Sequence, residues 1–238
     1  TRVRSSAASD VYKRQIENNV ITGVASNYVD ENGVLTIPGY AKDSQTPLTI
    51  AQGDYFDGTF PNLKSSTTKI VFQEGLTAIP DFAFKGNEYI QSIILSNSIK
   101  TIGGEAFKDC TALQNIDIPG VTTLETYAFQ HCTSLKTINM PNIERIEAEY
   151  AFGGCTLIEE LTLPTSIEYI GRYTFGNCPS LKKLTILSDT VPWIGDDATP
   201  SFVNISSSAQ LFVPASLVDS YKNDSDWRNA FSEILPIE

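Results

Sequence analysis

One dipeptide returns along this chain at a nearly fixed interval. Ala83-Phe84, Ala106-Phe107, Ala128-Phe129, Ala151-Phe152 and Thr174-Phe175 follow one another at spacings of 23, 22, 23 and 23 residues. Three residues after the last four phenylalanines stand Cys110, Cys132, Cys155 and Cys178, and after the first stands Asn87. Three residues on, an apolar side chain follows in every unit: Ile90, Leu113, Leu135, Ile158, Leu181. Then come the pairs Ile93/Leu95, Ile116/Ile118, Ile138/Met140, Leu161/Leu163 and Leu184/Ile186. A unit this short cannot bury its own apolar side. Stacked copies can, so the period confines the chain to a solenoid with one continuous core.

Within a unit the alternation Ile116-Asp117-Ile118 predicts a short strand with one buried face. Pro119, Pro141 and Pro164 follow such strands and remove a ladder donor. Thr-Ile-Gly at 101–103 and Tyr-Ile-Gly at 169–171 predict a bend. The spacing of Ala-Phe-x-x-Cys-x-x-Leu predicts a helical or 3₁₀ stretch on the opposite side. Each Phe is expected to stack on the next Phe, and each Cys on the next Cys.

Composition removes several function classes. No run of 18 apolar residues exists to cross a membrane as a helix. The formal net charge of −11 repels nucleic acid. A single His among 238 residues leaves little for His-based triads or multi-His metal sites. Residues 1–15 resemble a translated sequencing adapter, most closely from Ser5 to Gln15, and are expected to be non-native. Without Arg2, Arg4, Lys13, Arg14 and Asp10 the charge becomes −14. On that reading the native N-terminus, and any export signal, is missing.

The pattern I-G-x-x-A-F-x-x-C-x-x-L-x-x-I-x-I-P, as it stands from Ile102 to Pro119, resembles the BspA-like leucine-rich repeat. The resemblance covers residues 70–187 as five units. Glu125 and Glu147 stand where other units have the bend glycine, and 144–152 is slightly stretched. The implied fold is an α/β repeat solenoid: a right-handed superhelix of short parallel strands, an irregular or 3₁₀ convex side and a C-terminal cap. The organisation expected is a degenerate repeat region over 16–69, with Tyr55-Phe56 and an insertion at 64–69, five repeats over 70–187, and a capping unit over 188–238. The resemblance also implies a secreted or surface bacterial protein, and the adapter-like leader points to an assembled metagenome.

The four cysteines lie 22 or 23 residues apart, a line rather than the cluster zinc requires. Their parallel Cβ directions suit disulfides badly, so a buried, reduced ladder is expected. His131 is adjacent to Cys132 with no orienting residue evident, which predicts an exposed turn. No G-x-S-x-G, H-E-x-x-H, P-loop or G-x-G-x-x-G pattern occurs, and no cofactor or enzyme activity is implied. Asp30-Glu31, Asp196-Asp197 and Asp224/Asp226 lack an EF-hand order and read as solvated turns.

What remains is the outward side of the strands. One column is Val71, Ile94, Asp117, Asn139, Thr162, Thr185; the other is Lys69, Ser92, Asn115, Thr137, Glu160, Lys183. Solenoids bind partners on such extended concave surfaces. The resemblance implies as partners host matrix or cell-surface proteins, or other bacterial surface proteins, bound without enzymatic chemistry. A glycan-binding module and a structural spacer are the alternatives. The columns contain no aromatic residue for a sugar ring, so glycan binding would need exposed Tyr55, Tyr89, Tyr127 or Trp193.

Overall fold

The computed structural model describes residues 16–17, 20–21, 29–39, 47–51, 60, 63, 65–147, 149–195 and 201–237. The leader 1–15, Tyr55-Phe56 and Asp196-Asp197 lie outside the described residues. The chain is a solenoid, and its period is set by strands that repeat in register. The first column holds a five-stranded parallel sheet of Val34–Ile37, Lys69–Phe72, Ser92–Ile94, Asn115–Asp117 and Thr137–Asn139. A four-stranded sheet continues it with Glu160–Leu163, Lys183–Ile186, Gln210–Val213 and Glu233–Pro236. Leu35, Ile70, Ile93, Ile116 and Ile138 pair in one row. All but Ile138 are buried. The burial pattern of Glu160–Leu163 alternates exposed and buried, as side chains of a pleated strand must.

A second column stands where the sequence predicted a bend. Ala78–Ile79, Thr101–Ile102, Thr123–Leu124, Arg145–Ile146, Tyr169–Ile170 and Trp193–Ile194 form a six-stranded parallel sheet. Two residues carry no readable alternation, so these strands exist through their neighbours. Gly103 N–H, for example, donates to the Ile79 carbonyl of the preceding turn at 2.8 Å.

The third side is a ladder of turns. Ala106, Lys108 and Cys110 donate to carbonyls three residues back, at 3.2–3.3 Å, as 3₁₀ spacing requires. Between them Glu105, Phe107 and Asp109 donate across to Thr126, Ala128 and Gln130 of the next turn, each at 2.9 Å. This alternation needs left-handed backbone at two positions per turn. Glu105 and Asp109 have φ of 54° and 60°. Tyr127 and His131 repeat them at 60° and 59°. A left-handed non-glycine residue costs about 1–2 kcal/mol, which the cross-turn bonds offset.

The predicted phenylalanine stack is present and longer than five rings. Centroids run Phe60–Phe84 at 4.6 Å, Phe84–Phe107 and Phe107–Phe129 at 5.3 Å, and Phe129–Phe152 at 5.5 Å. Phe152–Phe175 and Phe175–Phe202 follow at 5.6 Å. The dipeptide rule missed Phe60 and Phe202 because neither follows an alanine and their spacings, 24 and 27 residues, depart from the period. The column ends against two short helices, α1 (Val218–Asn223) and α2 (Ser225–Ala230). Asp224 caps α2 by accepting from Asp226 N–H at 2.9 Å. Trp227 and Phe231 then pack on Phe202 at 5.3 and 5.0 Å. Apolar core that would otherwise meet water is thereby covered.

Candidate functional site

The outward side of the first column is a broad exposed face. None of the twelve residues expected on this side is buried. Asn115, Asp117, Thr137, Asn139, Glu160 and Thr162 are exposed; Lys69, Val71, Ser92, Lys183 and Thr185 are half-buried. Ile94 is the apolar exception, 46% exposed. The parallel register fixes the two rows, with Asn115 beside Thr137 and Asp117 beside Asn139. Side chains bond along them: Thr137 Oγ1 donates to Asn115 Oδ1 at 2.5 Å, and Asn139 Nδ2 to Asp117 Oδ1 at 2.9 Å.

Two features of this face were not foreseen. First, the column is interrupted. Thr137–Asn139 and Glu160–Leu163 belong to different sheets, and no backbone hydrogen bond between them is found among the described residues. The turn after the strand is one residue longer here, Leu163 to Ile167 against Met140 to Ile143. The opposite mismatch occurs earlier, between Leu95–Ile99 and Ile118–Val121, and there Gly120 absorbs it. A Cβ at Gly120 would lie 2.2 Å from the Asn97 carbonyl oxygen, so only glycine permits that close approach. Asn142 stands at the same position of its own turn and donates its Nδ2 to the Pro119 carbonyl of the preceding turn at 2.7 Å. At the break lies an open cleft of about 550 Å³ lined by Asn139, Pro141, Glu160, Thr162, Pro164 and Leu187, among others.

Second, the face extends beyond Thr185. In register with Thr185 comes Phe212, and with Phe212 comes Leu235. Lys183 Nζ sits 4.9 Å from the Phe212 ring centroid. The statement that the columns lack an aromatic therefore holds for the twelve predicted positions and fails for the whole face. The signal was available in Leu211-Phe212-Val213-Pro214, whose alternation places Phe212 outward.

The sequence profile of the BspA type leucine rich repeat region matches six copies over residues 57–149 and 142–223. The chain belongs to this family. No curated protein sequence matches it. Among solved structures it is similar to the leucine-rich repeat protein TpLRR of T. pallidum, 20% identical over 70% of this chain and 85% of that one, TM-score 0.49. It is also similar to the pneumococcal vaccine antigen PcpA, 13% identical over 86% and 68%, TM-score 0.50. A leucine rich cell surface protein of Faecalibacterium prausnitzii is 16% identical over 92% and 90%, TM-score 0.37. At these identities the likeness concerns the fold. BspA type repeats are commonly protein-interaction modules, and that coarse role is the one the family gives.

Within this BspA type solenoid the cysteines are free and buried. Each thiol donates to the phenylalanine carbonyl of the preceding turn: Cys110 to Phe84 at 3.3 Å, then Cys132 to Phe107, Cys155 to Phe129 and Cys178 to Phe152 at 3.2 Å. The bond partner is thus a backbone oxygen, rather than the next cysteine. Burial pushes the Cys132 and Cys155 thiols well up and Cys178 to about 12. A protonated, enclosed thiol is a poor nucleophile.

His131 is an exposed turn residue, but it does have an orienting partner. Asp109 Oδ1 lies 3.0 Å from His131 Nδ1, one turn away. Sequence distance hid the pair; the solenoid period brings it together. Cys132 points into the core, so no nucleophile joins the two. Among the described residues, no group of three or more His, Cys, Asp or Glu gathers to hold a metal ion. No described helix is long and apolar enough to cross a membrane. Asp30 is one of the turn acids: its carboxylate accepts from Asn32 and Val34 N–H at 2.8 and 2.9 Å.

The aromatic candidates divide. Tyr127, Tyr150 and Tyr173 stack on one another at 5.9 and 4.8 Å, so Tyr150 is enclosed between two rings, and Lys108 Nζ lies 5.1 Å from the Tyr127 centroid. Tyr89 is 50% exposed and Trp193 is 67% exposed.

Proposed function

We propose that this chain is a non-enzymatic, protein-binding module of a secreted or surface bacterial protein, and that it holds its partner on the exposed face of the first strand column. One observation supports this above others. Within the five-stranded sheet two polar rows are pre-ordered by the Thr137–Asn115 and Asn139–Asp117 bonds and left exposed. Side chains already fixed by neighbours lose less freedom on binding. The cleft at Glu160 and the Phe212–Leu235 end supply apolar surface beside the polar rows, the usual anatomy of a protein interface. Surface display is supported by the BspA type family and agrees with the description of PcpA as a vaccine antigen. Adhesion to host matrix or bacterial surface proteins is the biological form this role takes.

The test is binding of the purified chain to immobilised matrix proteins at physiological salt. The variant Asp117→Lys/Glu160→Lys should weaken a saturable interaction by about tenfold or more, since like charges set against a complementary partner cost heavily. Its melting temperature should stay unchanged, because both positions are exposed. Undiminished binding would exclude this face.

A further inference from the structure

We propose that the exposed side of the second strand column, centred on Trp193, docks a basic protein surface by stacking a partner Lys or Arg on the indole. This goes beyond the reading above, because it concerns another face and another set of residues. The register places Arg145, Tyr169 and Trp193 side by side on three adjacent strands. Arg145 lies over the Tyr169 ring at 5.0 Å, and Tyr169 meets Trp193 at 5.2 Å. The molecule therefore already makes one cation–π contact on this face. Among the described residues Trp193–Ile194 is the last strand of its sheet. Tyr169 has a cation on one side and Trp193 on the other; Trp193 has Tyr169 on one side and the sheet edge on the other. Trp193 is also the most exposed large apolar side chain among the described residues.

Charge says which partner fits. Glu144 and Glu168 are exposed on this column, and Glu147 pairs with Arg145. Glu168 adjoins Tyr169 in sequence, and its carbonyl accepts from Trp193 N–H at 2.9 Å. The stem of Arg172 packs beside Gly195, the second cation near this edge. The Glu147 hydrogen bond, and then the negative charges of Glu147 and Glu168, hold the Arg145 guanidinium more firmly protonated than usual. The whole chain carries −11. Along this edge Glu144, Glu147 and Glu168 outnumber Arg145 and Arg172; a net negative charge beside an exposed indole attracts and then seats a cation, and Trp, Tyr and Arg are the residue types that dominate interface energetics.

The chain contains two tryptophans, and Trp227 is fully buried. Acrylamide quenching of fluorescence therefore reports Trp193. Octa-arginine should shield it saturably at low salt, and octa-glutamate should not. By calorimetry, Trp193→Ala should bind octa-arginine about five- to tenfold more weakly, and Glu168→Gln should weaken it severalfold. Asp117→Lys/Glu160→Lys, altered only on the other face, should retain the shielding, so the two proposals fail separately. Equal affinity of Trp193→Ala and the parent would overturn the inference, showing diffuse attraction to an acidic chain. Loss of shielding in the Asp117/Glu160 variant would overturn it too. So would shielding by a neutral oligosaccharide such as cellohexaose without shielding by octa-arginine.

Discussion

The side-chain amide of Asn87 donates to the Phe60 carbonyl at 3.1 Å, and this bond is the counterpart of the one Cys110 makes to Phe84 at 3.3 Å. Asn87 is the residue that stands in the cysteine position of the first unit. Amide and thiol share little chemistry except a donor on a short side chain. The position therefore selects a buried donor for the phenylalanine carbonyl of the turn before, and cysteine is the apolar way of supplying it.

Exchange at that position should follow donor capacity. Asn87→Ala removes the donor from a buried site and should lower unfolding free energy by about 1–3 kcal/mol. Asn87→Cys should recover part of that loss, since it restores the arrangement of the other four turns. Urea denaturation of the two variants decides the matter. A cysteine variant as unstable as the alanine one would show that the donor is not what the position needs.

Removing a ring from the stack should be costly and local. Phe129 is fully buried between Phe107 and Phe152, at 5.3 and 5.5 Å. Phe129→Ala should destabilise by about 3–5 kcal/mol. In a solenoid each turn touches only its neighbours, so the loss spreads by adjacency. Hydrogen exchange should rise first at amides of the turns carrying Phe107 and Phe152. Uniform loss of protection from Val34–Ile37 to Glu233–Pro236 would contradict this.

The thiols should be silent in the folded chain. Desolvation raises Cys178 to about 12 and holds Cys132 and Cys155 well above their usual value. Titration with an aromatic disulfide reagent should give no fast equivalent between pH 7 and 9, and four after denaturation. Prompt reaction of even one thiol in the native protein would contradict the enclosure of the ladder.

Much of this architecture is legible in the residues because the repeat amplifies weak signals. One Ile-Asp-Ile would predict little; five in register predict a sheet and its outward rows. The second column was not legible, since a two-residue strand such as Thr101–Ile102 has no period of its own. The left-handed positions were equally hidden: they are filled by Glu105, Tyr127, Asp109 and His131, residues that do not announce positive φ as glycine does. The break before Glu160 coincides with a one-residue difference in turn length, which the alternation of the strands themselves does not show. Contacts between turns, such as His131 with Asp109, become visible only once the period is folded.

Glu125 stands where Gly103, Gly171 and Gly195 stand in other units, and it should make stability pH-dependent. Its carboxyl is held above the usual 4.5, first by partial burial, then by repulsion from Glu147 and Asp81. The folded chain therefore keeps a proton that the unfolded chain releases over the interval between the ordinary and the raised value. Where the native state binds more protons, stability falls as pH rises. Below the ordinary value both states are protonated and Glu125 is neutral in its effect. Above the raised value both are ionised and the full repulsion is present. Glu125→Gln removes the charge but keeps the shape, so its melting temperature should exceed that of the parent at pH 7. The gap should close as the pH is lowered through the carboxylate range towards pH 4. Thermal melts of both chains across that range provide the measurement. A gap that is absent at pH 7, or that widens on acidification, would show that Glu125 gains more from its ionised contacts than it loses to Glu147 and Asp81.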